Sequence, residues 1–229
     1  MSLISICIPT YEMHGKGAEY LEYSFKVLYL QTYTNFEIII SDHSESILIK
    51  DLCDSWSEIF PITYIKSTVN RGNSSANINN AISQAKGNYI KVLFQDDFLY
   101  DENSLQNQID CLINKNGKWL VAACCHYNGV ELYNPLYPEY HDEIQYGRNT
   151  ISSPSVLMFK NDNILLFDEK LIWLMDVDYY KRLYDKHGLP VVCNDICIVN
   201  RVHTNQVSNT LATDEIKEAE LQYIINKYK

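Results

Sequence analysis

Glycine and proline are scarce, with 8 and 6 residues in a chain of 229. That scarcity excludes collagen-like and low-complexity compositions. Basic residues are also few: 19 Lys and Arg stand against 29 Asp and Glu, a formal net charge of −10. Duplex nucleic-acid binding through phosphates needs the opposite balance. A broadly acidic surface is likewise repelled by anionic lipid. No run approaches the roughly 18 apolar residues of a membrane span. The first ten residues lack the charged n-region and long apolar stretch of a signal peptide. No C-x-x-C pair exists among the seven cysteines, and Cys193 and Cys197, at C-x-x-x-C spacing, have no second pair nearby. Zinc binding gains little support from that pattern. The cysteines read as buried free thiols of a soluble cytoplasmic protein.

What is present is a globular balance, 46% hydrophobic and 21% charged. It suffices for one ample α/β domain. Tyrosine is in excess, 18 against 7 Phe. Tyr127, Tyr133, Tyr137, Tyr140 and Tyr146 crowd one loop-rich stretch. An AT-rich genome or a surface that stacks on sugars or bases would each account for the excess.

Apolar periodicity predicts strands at Ile4–Ile8, Phe36–Ser41, Ile62–Lys66 and Asn88–Phe94. Pro9 is expected to end the first, with a polar loop from Thr10 to Gly17. Helices are expected at Ala18–Gln31, Ile47–Ser57 and Ala76–Ala85. The first 100 residues thus read β-α-β-α-β-α-β, the pattern of a mostly parallel sheet covered on both faces. The second half is less regular. Helices are expected at Ser104–Asn114, Trp173–Tyr184 and from the Thr213 cap towards Lys229, and strands at Trp119–Cys125, Ser155–Phe159 and Val191–Val199. One continuous domain over 1–229 is expected.

In open α/β sheets ligands bind beyond the carboxyl ends of the strands. Three such ends carry polar residues: Pro9-Thr10-Tyr11, Asp42, and Gln95-Asp96-Asp97. Two adjacent carboxylates repel each other, and a divalent cation relieves that. Capping of the following turn is the alternative. Asp42 can accept hydrogen bonds from a ribose or base, or can form a turn. Asp176 and Asp178 diverge by about 200° on a helix. Only one can face a given cleft, where a single carboxylate suits a general base. Arg201 and His203 share one side of an extended run, which suits an anion or metal, or a surface loop.

Taken together and in order, these segments resemble a family 2 glycosyltransferase. Ile4 to Tyr11 resembles the family's first strand and nucleotide loop. Phe36 to Asp42 resembles its second strand and base-recognising acid. Asn70-Arg71-Gly72 and Ala85 to Asp97 resemble the run into the D-x-D region. Met175-Asp176-Val177-Asp178 resembles the E-D region, and Arg201 to Ser208 the R-x-H stretch. The resemblance implies a GT-A fold: a single Rossmann-like domain with a mostly parallel central sheet flanked by helices, plus a small acceptor-side region. Residues 1–100 would form the nucleotide-sugar half, and 101–229 the acceptor half with the C-terminal helix. Pro9, Thr10, Tyr11, Glu12, Asp42, Arg71, Asn77, Gln95 and Asp96 would line the nucleotide-sugar site. Asp96, Asp97 and His203 would hold Mn²⁺ or Mg²⁺, and Asp176 would be the catalytic base. Arg201 would contact phosphate or acceptor. The chain departs from the pattern at Phe94, where a first Asp is common, and at Met175, where a Glu is common. Ser75-Ala76-Asn77 only partly replaces the usual A-R-N run.

The resemblance implies an inverting transfer from a nucleotide-diphosphate sugar, with UDP the default and GDP or dTDP the alternatives. The acceptor would be a glycan, a lipid-linked sugar or a protein, and a lipid-linked one would require peripheral docking at a membrane. Tyr137 and Tyr140 are the candidate acceptor contacts, because tyrosine stacks on a sugar face and still offers a hydroxyl. A nucleotidyltransferase is the competing enzyme. Its phosphate loop is poorly matched by Pro9–Gly17, which holds one lysine and no G-x-G-x-x-G. A catalytically inactive binding module is the other competitor, motivated by Phe94 and Met175. Ile216, Leu221, Ile224 and Ile225 suit the last helix to packing on the core or on a second copy in a homodimer.

Overall fold

The β-branched run at the N-terminus forms the centre of the sheet. In the computed structural model, which describes residues 1–204, 206 and 212–229, β1 (Ile4–Thr10) is buried at every position. So is β2 (Phe36–Asp42), its parallel neighbour. Complete burial means both faces are covered, which is why neither strand alternates polar and apolar residues. The parallel core is completed by β3 (Ile62–Lys66) beside β2 and β4 (Tyr89–Val92) beside β1. Helices α1 (Gly17–Tyr29), α2 (Leu48–Trp56) and α3 (Ser74–Ile82) connect these strands. This is the expected α/β arrangement of a mostly parallel sheet flanked by helices.

Strand β1 runs on through Pro9 to Thr10, past the predicted stop. The missing N–H of Pro9 faces the side of β4, whose pairing with β1 has already ended at Cys7↔Val92. No ladder bond is lost there. Strand β4 stops at Val92 rather than Phe94, because the chain leaves the sheet and the Phe94 amide donates to Ser155 Oγ at 2.9 Å. Helix α3 starts two residues before the expected Ala76. The Asn73 side chain caps it, accepting from the Ala76 amide at 2.8 Å.

The second half continues the same sheet. It contains β5 (Phe98–Leu99), α4 (Ser104–Asn114), β6 (Trp119–Tyr127), β7 (Leu132–Leu136), β8 (Leu157–Lys160), α5 (Met175–His187), β9 (Val191–Arg201) and α6 (Asp214–Lys227). The strand order is β3-β2-β1-β4-β8-β6-β9-β5, with β7 on β6. Strand β8 pairs antiparallel with both β4 and β6 and so joins the two halves. Strands β5 and β7 went unpredicted, one being only two residues long and the other largely exposed. One hydrophobic cluster runs from Ile4 on β1 to Ile224 on α6. All seven cysteines are free thiols, and six of them are buried. Among the described residues no helix is long and apolar enough to cross a membrane. No three His, Cys, Asp or Glu side chains cluster there as a metal site.

Candidate active site

The carboxyl ends of β1, β2 and β4 open onto a cleft of about 580 Å³. Its wall includes Pro9, Tyr11, Glu12, Arg71, Asn77, Gln95, Asp96, Asp97 and Asp176. Sequence positions from 9 to 176 are thus gathered at one place. Two side chains tie the first loop to its neighbours, Gln95 to the end of β4 and Glu12 to the segment after β2. Gln95 accepts from the Tyr11 amide at 2.9 Å and donates to Gly17 O at 2.7 Å. Gly17 permits that approach, since a Cβ there would lie 2.2 Å from Tyr11 O. Glu12 accepts from the Glu45 and Ser46 amides, bridging to the segment after β2. Burial alone would raise its pKa, but these amides outweigh burial and hold it below the usual range.

Asp42 and Thr10 stand behind this wall rather than on it. Asp42 is fully buried. Its oxygens accept from Thr10 Oγ1 (3.2 Å), the Ser44 amide (2.9 Å), Tyr64 OH (2.7 Å) and Lys66 Nζ (3.1 Å). Burial would raise its pKa, yet these donors prevail and lower it. The polar groups that do reach the cleft at this end belong to neighbours. His43 Nε2 and Asn77 Oδ1 are buried, and neither has a hydrogen-bond partner among the described residues. A buried polar atom without a partner is costly unless a ligand or water supplies one. His43 was missed by sequence reasoning, although its place directly after Asp42 was a usable signal. Burial lowers the pKa of its imidazole below the usual value.

The two adjacent aspartates take different roles. Asp96 Oδ2 lies 3.0 Å from His203 Nε2. Asp97 points into protein: Oδ1 accepts from the Arg201 amide (3.1 Å) and Oδ2 from Ser153 Oγ (3.0 Å). Burial, then the Asp96 charge, pushes the Asp97 carboxyl well above the usual carboxylate range. Asp96 offers a carboxylate oxygen, the ligand type Mn²⁺ and Mg²⁺ prefer, with the His203 imidazole nitrogen beside it, and such cations complete their shell with phosphate oxygens and water. A divalent cation at this point would take Asp96, with His203 beside it, while Asp97 braces the turn beneath them.

Arg201 does not reach the cleft. Its Nε donates to Asp96 O at 3.0 Å. Its guanidinium sits among four rings: Tyr20 at 4.5 Å, Phe98 at 5.1 Å, Tyr23 at 5.4 Å and Tyr127 at 5.6 Å. Cation–π attraction to rings of α1, β5 and β6 draws the side chain away from the cleft. Tyr137 and Tyr140 are not on the cleft wall either. Tyr137 is 58% exposed, and Tyr140 stacks on Tyr184 with ring centroids 4.1 Å apart. The wall's aromatic side chains are Tyr11, Phe94 and Trp173. Ser208, at the end of the R-x-H stretch, lies outside the described residues, as do 205 and 207.

Asp176 and Asp178 separate as helical geometry requires. Asp178 is fully buried and pairs with Arg182 at 2.8 Å and with Lys227 at 2.7 Å. Asp176, at the start of α5, lines the cleft. Its oxygens accept from Asn149 Nδ2 and the Val177 amide, each at 2.7 Å. Burial pushes its carboxyl up to about 7, against the lowering effect of the backbone amides. A carboxyl tuned to neutrality in a cleft is suited to taking a proton. Asn149 and Ser153 carried no sequence signal, because their loop meets α5 and Asp97 only through the fold.

Comparison with known proteins bears on the family and the fold. An uncharacterized glycosyltransferase of Rickettsia prowazekii is 26% identical over 236 residues, covering 95% of this chain and 69% of that protein. S. aureus TarS, residues 1–349, superposes over 100% of this chain and 72% of its own, with a TM-score of 0.71 at 17% identity. TarS has also been solved with UDP and with UDP-GlcNAc. The mannosyltransferase PcManGT of Pyrobaculum calidifontis, in complex with GDP-Man and Mn²⁺, covers 87% of this chain and 56% of its own, with a TM-score of 0.64 at 15% identity. At such identities the structural likeness shows the fold, GT-A. The family model described as Glycosyl transferase family 2 matches residues 5–203. With most of its length so matched, the chain belongs to glycosyl transferase family 2.

Proposed function

We propose that the protein transfers a sugar from a nucleotide-diphosphate sugar to an acceptor hydroxyl with inversion at the anomeric carbon. The observation that carries this reading is Asp176, a carboxyl raised to about 7 on the wall of the cleft that Asp96 also lines. In the proposed step the acceptor oxygen attacks the anomeric carbon and its proton passes to Asp176. The bond from that carbon to the diphosphate oxygen breaks, and the electron pair leaves with the nucleoside diphosphate. A single displacement of this kind inverts the configuration. Proton removal by a positioned carboxylate contributes roughly 10²–10⁴-fold to rate.

Asp96 and His203 would hold Mn²⁺ or Mg²⁺. When bound, such a cation neutralises charge that develops on the leaving diphosphate. The net charge of −10 makes a cation the natural partner for a diphosphate here. A UDP-sugar is the proposed donor, supported by the TarS complexes. The base would lie at the end of the cleft where His43 Nε2 and Asn77 Oδ1 lack partners. The sugar and acceptor would lie nearer Trp173.

Thermal shift with UDP-, GDP- and dTDP-sugars, with Mn²⁺ or with EDTA, tests the donor. A ligand that binds only the folded state raises Tm by mass action. We expect a UDP-sugar to raise Tm in Mn²⁺ and to lose that effect in EDTA. Asp176→Asn should keep donor binding and lose turnover. Full turnover in that variant would remove Asp176 from the role of base.

A further inference from the structure

The lead-in to α5 is held by a side chain 46 to 48 residues further along the chain. Glu220, on α6, is only 6% exposed, although it sits on a helix rich in charge. One of its oxygens accepts from the Ile172 amide at 2.6 Å, and the other from the Trp173 and Leu174 amides at 3.0 and 2.8 Å. These three N–H groups precede the first turn of α5, where no side chain of the helix itself serves as a cap. Such donors lack intrahelical partners and favour a negative charge. Ile172, Trp173, Met175 and Asp176 all line the cleft. One carboxylate therefore anchors the whole segment that presents them.

We propose that Glu220 is a positioning residue for the catalytic carboxylate: it caps α5 from α6 and thereby fixes where Asp176 points. This rests on the reading of Asp176 as the base. The rest of α6 works as a clasp around the same contact. Lys227 donates to Asp168 and pairs with Asp178, each at 2.7 Å. Tyr228 OH donates to Asp178 at 2.7 Å, and Tyr223 OH to Asp168 at 2.8 Å. These bonds stitch α6 to both ends of the 168–178 segment, so Glu220 is held in register with the amides it caps.

Glu220 also acts on Asp176 through its charge. Beyond burial, Glu220 is the charged group that raises the Asp176 carboxyl. Among the described residues Tyr180, one turn along α5, and the neutral Asn149 amide also face Asp176. Burial raises the Tyr180 hydroxyl far above neutrality, so it stays uncharged throughout the range in question. Removing the Glu220 charge should therefore let Asp176 ionise at lower pH. A purely structural brace would leave that ionisation unmoved.

The experiment compares Glu220→Gln, Glu220→Asp, Tyr228→Phe and Asp176→Asn with the wild type. The probe reaction is hydrolysis of UDP-GlcNAc in Mn²⁺. ¹³C-carboxylate NMR of aspartate-labelled protein, wild type minus Asp176→Asn, reads the ionisation directly and needs no donor. Glu220→Gln should lower kcat about tenfold, because a misplaced reacting group is expensive in rate, and leave the donor KM unchanged. Its acid limb and the Asp176 titration should move down by roughly half a pH unit. Glu220→Asp keeps the charge and shortens the reach, so kcat falls while the acid limb stays in place. Tyr228→Phe should lower Tm without moving the limb. If Asp176→Asn is inactive but Glu220→Gln leaves both kcat and the titration unchanged, the positioning role is refuted and the base survives. If Asp176→Asn is fully active, the base reading fails and the positioning role fails with it. Should Glu220→Gln not fold, an unaltered kcat in Glu220→Asp overturns the proposal.

Discussion

Replacing Asp176 by Asn should make the protein more stable, and only at pH values where the carboxylate is charged. Burial pushes the Asp176 carboxyl from 3.8 up to about 7. A tenfold change in proton affinity corresponds to about 1.4 kcal/mol, so the ceiling on the cost of the charged form is roughly 4 kcal/mol. Partial exposure to the cleft reduces that ceiling. The variant also gives up one accepting oxygen, since Asn149 Nδ2 and the Val177 amide both donate to the wild-type carboxylate. That loss costs about 1 kcal/mol. A net gain of about 1–3 kcal/mol remains, or on the order of 5 °C in Tm for a chain of this length. The sign follows from where the proton sits. Below about pH 4 the carboxyl is protonated in both folded and unfolded chains, and the variant gains nothing. As pH rises from about 4 to about 7 the unfolded chain releases the proton first, so wild-type stability falls; above about 7 the deficit is complete. Asp97 titrates with the same sign but is present in both proteins and cancels in the difference. Urea unfolding of both proteins at pH 4.5, 6 and 8 reads the gap. A gap that does not widen with pH, or a variant less stable at pH 8, would refute the reasoning. A widening gap would show a catalytic group kept at the expense of stability.

Two further outcomes follow from where the structure puts residues that the sequence placed in the cleft. Tyr140→Ala should cost about 2–3 kcal/mol through its lost stack on Tyr184, whereas Tyr137→Ala, at an exposed position, should be near neutral; equal Tm losses in thermal melts would contradict the stacking. Arg201→Lys should still fold but lose about 1–2 kcal/mol of packing against the four rings, because a lysine neither stacks nor donates from Nε to Asp96 O. It should also weaken Mn²⁺-dependent UDP binding in a metal titration, and an unaltered titration would show that the Asp96 turn stands without it.

The parts of this fold that were legible share one property: their side chains report their own environment. Ile4–Thr10 and Phe36–Asp42 are largely apolar because they are interior strands buried at every position, and α4 shows its helical stripe with the predicted bounds. Strand β7 was illegible because its residues are exposed and include Pro135, so pairing with β6 leaves no pattern in them. The site divides in the same way. Asp96 and Asp176 stood in recognisable motifs, but Glu220 is one of three glutamates on α6, and nothing in the order Glu215, Glu218, Glu220 says that only the last is buried. Asp42 and Asp176 give the sharpest case. Both are aspartates at the end or start of an element near one cleft. Burial raises both; Asp42 gathers Thr10, the Ser44 amide, Tyr64 and Lys66, and its pKa falls, whereas Asp176 receives one amide side chain and one backbone N–H, faces the charge of Glu220 as well, and rises to about 7. Donors brought together by β2, β3 and β1 make the first a fixed anion that organises the loop. Burial with few donors leaves the second a carboxyl that can exchange its proton near neutrality, as the proposed base must. The chemical difference between the two lies in their partners, and partners are assigned by topology.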